Sequence, residues 1–147
     1  MPEAFSAVPD DHFVFRLATD SFAPPGASTP QRSWLILTTE DKNKAEERKR
    51  PPALSGFDQA FTTASQALAL LRWQESRHFG MKAGEWILIG ADHGRSIAVV
   101  YLPFVASKHL AGWQGHVLIE GTRKPEGVPK QKQYDFLDAL CIACQES

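Results

Sequence analysis

The chain has 147 residues, 43% of them hydrophobic and 22% charged, and its 16 lysines and arginines nearly balance 17 aspartates and glutamates for a formal charge of -1. That length supports about one domain with its own core, expected over 1–147, and is too short for a two-domain enzyme. The charge balance excludes a global field drawing the chain to nucleic acid or an anionic membrane.

No apolar run approaches the roughly 20 residues that cross a bilayer. The opening Met-Pro-Glu-Ala-Phe-Ser lacks the basic start and apolar stretch of a secretory signal. The expected location is the cytoplasm, with no membrane partner.

A polar lead over 1–11 precedes residues 12–18, where Phe13, Phe15 and Leu17 alternate and predict a strand. Residues 21–31 hold Pro24, Pro25, Gly26 and Pro30, which cannot join a ladder, and predict an exposed connection. Residues 34–39 are apolar on both faces, as in a covered central strand. The stretch 40–53 carries Asp41, Lys42, Lys44, Glu46, Glu47, Arg48, Lys49 and Arg50 ahead of Pro51 and Pro52, and reads as a solvated loop or frayed helical turn.

A helix is predicted next, because Phe57, Phe61, Ala64, Leu68 and Leu71 form one stripe, with Gly80 as its C-terminal cap. Either Asp58 caps its start, or Thr63 forms a capping box with Gln66. Residues 86–102 read as a hairpin whose polar tip holds Asp92, His93, Gly94 and Arg95. A connection over 104–113 has room for a short helix at 105–110, and 116–120 is a further strand. A second exposed basic loop spans 121–132. The closing helix, 133–144, turns Phe136, Leu137, Leu140, Cys141 and Cys144 inward. The expected fold is α+β, a roughly five-stranded antiparallel or mixed sheet with two main helices packed on one face.

Chemical motifs are sparse. Asp92, His93 and Arg95 combine an acid, an imidazole and a guanidinium within four residues, the minimum for acid-base work on an anion, although a turn selects Asp and Gly for backbone reasons. The histidines, His12, His78, His93, His109 and His116, lack metal-ligand spacing; His12 and His116 stand at strand ends that a sheet could bring together, with Glu120 beside them. Cys141 and Cys144 share a helix face without a second pair, and read as apolar packing. There is no nucleophile elbow and no phosphate-cradling glycine loop, so no cofactor, metal or catalytic residue is assigned. Trp113, flanked by Gly112 and Gly115, is the tryptophan least tied to a core pattern, and joins Asp92, His93 and Arg95 as a candidate contact residue.

Three readings of function remain. The leading one is a non-enzymatic interaction or regulatory module, self-associating or bound to another protein, because the segments 34–37, 87–89 and 97–100 carry more apolar character than two helices hide. The alternative is a nucleic-acid-associated protein, with Lys42, Lys49, Arg50, Arg123, Lys124, Lys130 and Lys132 forming one basic face. The weakest is a small hydrolase or lyase built on His93.

Overall fold

A computed structural model describes residues 5–71, 76–102 and 114–146. Among them, six strands form one antiparallel sheet, and four α-helices and a 3-10 turn pack around it. The α+β class is as expected from the sequence. In chain order the elements are β1 (Phe13–Ala18), the 3-10 turn (Arg32–Leu35), α1 (Thr39–Arg48), β2 (Ala53–Asp58), α2 (Ala64–Leu71), β3 (Arg77–Lys82), α3 (Ala83–Asp92), β4 (Ala98–Tyr101), β5 (His116–Glu120), α4 (Lys130–Ala143) and β6 (Gln145–Glu146). Across the sheet the order is β4-β5-β2-β1-β3-β6.

Strand β1 lies between β2 and β3, and its alternation divides two cores. Val14 and Ala18 join Leu54, Phe79, Val117 and Ile119 beneath α3, α4 and the 3-10 turn. Phe15 and Leu17 point the other way, with Phe57, against Ala67 of α2. Helix α1 lies beside this second face, along β2. Helices therefore cover both faces, not one.

Three segments depart from the sequence reading. Residues 34–39 are not a central strand: Trp34 and Leu35 close a 3-10 turn, with the Trp34 indole N–H donating to the Leu17 carbonyl at 2.9 Å. The charged stretch after them is helix α1, a solvated helix in which only Ala45 is buried. Its ends explain its stability. Thr38 and Asp41 form a reciprocal capping box, at 3.1 and 2.9 Å, and Lys49 closes the other end in a left-handed conformation, φ 55°. The predicted helix with the Phe57 to Leu71 stripe is divided: Phe57 and Asp58 end β2, and α2 starts at Ala64, capped by the reciprocal bonds of Thr63 and Gln66. Gly80 is no cap but the middle of β3, opposite Phe15.

The predicted hairpin is half correct. Its second arm is β4, but its first is helix α3, in which Ala83, Trp86 and Gly90 face the core at helical spacing while Leu88 is exposed. The tip is the end of that helix. Gly94, at φ 69°, lets its own N–H reach the Ala91 carbonyl and the Arg95 N–H reach the Gly90 carbonyl at 2.7 Å, a left-handed helix closure. Two of the three apolar segments expected to crowd the sheet are thus outside it: 87–89 lies in helix α3, and 34–37 is the end of the 3-10 turn and the two residues after it.

Both sheet edges are short or covered. Phe5 and Val8 donate to Tyr101 and Val99 at 2.7 and 2.9 Å along the outer side of β4. The other edge is β6, two residues long. No helix among the described residues is long and apolar enough to cross a membrane.

Candidate ligand groove

Chain folding brings together four of the seven basic residues singled out in the sequence. Lys42 comes from the first turn of α1, Arg123 and Lys124 from the loop after β5, and Lys130 from the first position of α4. They border one groove of about 390 Å³, floored by Leu35, Ile36, Leu37 and Leu137. Among the described residues no carboxylate lines it. Ile36, which follows the 3-10 turn, is 52% exposed here. A large aliphatic side chain left half in water beside four cations is an arrangement that a partner with apolar and anionic parts would cover.

The far wall is fixed by a polar relay. Gln133 of α4 accepts from the Arg95 guanidinium at 2.7 Å and donates to the Thr122 carbonyl at 2.9 Å, so the helix, the basic loop and the end of α3 are tied at one point. Arg95 is buried and lies over the Phe136 ring, 4.8 Å from its centroid, and burial lowers its pKa. Tyr134, also on the wall, already carries the Arg32 guanidinium 4.1 Å from its ring centroid, and Arg32 is held by both oxygens of Asp138.

The other basic candidates lie elsewhere. Arg50 donates to Glu120 and stacks over Phe5; Lys49 caps α1; Lys132 is exposed on α4 and does not line the groove. Lys44, Arg48 and Arg50 instead border a smaller cavity of about 110 Å³ between α1 and the sheet, together with Asp41. Asp92 and His93 are exposed at the end of α3, where the His93 ring meets Phe136, while Arg95 turns inward. Trp113, like the short helix expected at 105–110 and His109, lies outside the described residues.

A second polar cluster escaped the sequence reading. Asp58, wholly buried at the end of β2, accepts from the Tyr101 hydroxyl at 2.6 Å, from the Ala60 N–H at 2.9 Å, and pairs with His12 Nδ1 at 2.8 Å. Burial and this carboxylate push the Tyr101 hydroxyl pKa up. His12 and His116 do flank the same end of β2, but through different partners: His116 stacks on Phe57, and Glu120 is taken by Arg50. Among the described residues no three metal-ligating side chains converge.

Comparisons with protein-family models, curated proteins and solved structures found no match to this chain.

The geometry alone therefore bears on function. The cysteines offer little chemistry: burial pushes the Cys141 thiol up to about 12, and Cys144 is raised for the same reason. Neither is a poised thiolate. The groove differs in combining exposure, charge of one sign and an apolar floor.

Proposed function

We propose that this chain is a binding module whose groove takes an acidic, partly apolar segment of a partner protein. The observation that carries this reading is the convergence of Lys42, Arg123, Lys124 and Lys130 around the exposed Ile36 with no carboxylate among the described lining residues. The volume, about 390 Å³, falls among ordinary ligand clefts, roughly 300–1,000 Å³. Aliphatic anchors would fill the floor, and acidic side chains would meet the rim.

Nucleic acid fits this surface less well. A phosphate track needs a continued run of free cations, but Arg50 is committed to Glu120 and Lys49 and Lys132 do not line the groove. A base needs an open ring to stack on, and the ring lining the groove, Tyr134, is already covered by Arg32.

Fluorescence anisotropy with a labelled peptide of alternating glutamate and leucine tests the reading. Binding should weaken about tenfold with Lys42→Glu and Lys130→Glu together, weaken with Ile36→Asp, and fall with added salt. Equal affinity for a lysine-leucine peptide, absence of binding, or tighter binding of a single-stranded oligonucleotide lost in the same variants would each overturn it.

A further inference from the structure

The wall of the groove holds more unanswered polarity than a carboxylate side chain requires. Thr122 lines the groove, is 1% exposed, and its buried Oγ1 has no hydrogen-bond partner. A buried hydroxyl left unpaired is destabilising, a cost that a ligand oxygen would relieve. The guanidinium of Arg95, a residue 7% exposed and directly behind Gln133, has one hydrogen bond, to that neutral amide, and no carboxylate partner among the described residues. Buried cations are ordinarily paired.

The start of α4 adds donors at the same place. Pro129 caps the helix without a side-chain hydrogen bond, and no acidic residue occupies the first turn. The first intrahelical bond there is from the Gln133 N–H to the Pro129 carbonyl, which leaves the preceding amides facing outward at the positive end of a 14-residue helix. Lys130 stands on that turn. Lys124, which braces the loop by donating to the Val128 carbonyl at 2.8 Å, and Arg123 stand across from it. Glu126 is the acid of this loop and borders the adjoining hollow with them. On α4, Asp135 accepts from the Gln131 amide at 2.9 Å, and Asp138 is consumed by Arg32.

We propose that the groove reads a phosphorylated side chain on its acidic partner segment, with the phosphoryl group seated by Lys130, Thr122 and the first turn of α4, and with Arg95 supplying charge from behind Gln133. A phosphomonoester carries roughly -1.5 to -2 charge and three acceptor oxygens, which matches several cations, an orphan hydroxyl and a row of free amides better than a single carboxylate does. The inference rests on the peptide-binding reading above, and specifies the anion that segment carries.

The test compares one acidic peptide in three forms, with a central glutamate, serine or phosphoserine, using inorganic phosphate as a fourth probe. The phosphoserine form should bind about tenfold more tightly than the glutamate form. That gain should shrink with Thr122→Val, which preserves side-chain shape, and with Lys130→Gln, at an exposed position, both checked for native circular dichroism. If the glutamate peptide binds and phosphorylation adds nothing, or the gain survives both substitutions, this inference falls while the peptide-binding reading stands. If none of the peptides binds, both fall. Inorganic phosphate binding as tightly as the phosphopeptide would point to a free ion as the ligand and contradict the proposed source.

Discussion

Arg95 and Gln133, on the closure of α3 and the first turns of α4, meet at 2.7 Å, and the same glutamine reaches on to the carbonyl of Thr122 at 2.9 Å. One amide thus ties two helices to the loop that carries Arg123 and Lys124. Replacing Gln133 by leucine removes both bonds and leaves the Arg95 guanidinium without its partner. A stability loss of about 1–3 kcal/mol is expected in urea unfolding. A neutral effect would mean that the wall of the groove is not held by this relay.

Gly80 gives the sharpest test of the sheet register. A Cβ there would lie 2.1 Å from the Val14 carbonyl oxygen and 2.7 Å from the Phe15 Cα, backbone atoms that cannot turn aside. Gly80→Ala should cost about 3 kcal/mol or more, read as a lower denaturation midpoint. Wild-type stability in that variant would contradict the pairing of β1 with β3.

The buried carboxylate of Asp58 depends on its donors. Tyr101→Phe removes the 2.6 Å hydroxyl contact and leaves the ring in place, so a loss of about 2 kcal/mol is expected. Unchanged unfolding would show that this hydrogen bond contributes nothing net.

Acid should release a different link. The Arg32 side-chain hydrogen bonds hold the Asp138 carboxyl below its ordinary value. A carboxyl whose folded pKa is depressed stabilises the fold fully above its unfolded pKa, about 3.9, and loses that contribution as pH falls through the folded value. The stability difference between the wild type and Asp138→Asn, followed by urea unfolding, should therefore be constant near neutrality and vanish in strong acid. Both side chains are partly exposed, at 36% and 40%, so added salt should shrink the difference. A difference that grows toward low pH would contradict the assignment.

What the sequence revealed, and what it concealed, has a physical pattern. Helix α4 was legible because Phe136, Leu137, Leu140 and Cys141 follow the helical period, β1 because Phe13, Phe15 and Leu17 alternate in the sequence, and β5 because Val117, Leu118 and Ile119 form a short apolar run, although in both strands burial falls on both faces. Helix α3 was misread because the run over 86–90 is short and rich in β-branched residues; its helical signature is the wide spacing of Ala83, Trp86 and Gly90, which becomes visible only if the helix starts three residues earlier. Helix α1 has no apolar stripe at all, and its signal was the Thr38–Asp41 capping pair, hidden in a stretch dominated by charge. The groove was half legible. Its cations were visible as two basic segments, but that Lys42 meets Lys130 depends on a 3-10 turn where a strand was expected, and Asp58 could not be joined to His12 and Tyr101 before the strand order was known.

The measurement that bears most directly on the groove is a titration of isotope-labelled protein with the glutamate-leucine peptide, followed by amide chemical shifts. The groove account predicts saturable shifts at Ile36, Lys42, Thr122, Lys130 and Tyr134, with little change at the exposed apolar residues Leu88 and Ile142. Shifts centred on Leu88 and Ile142, with the groove silent, would contradict it.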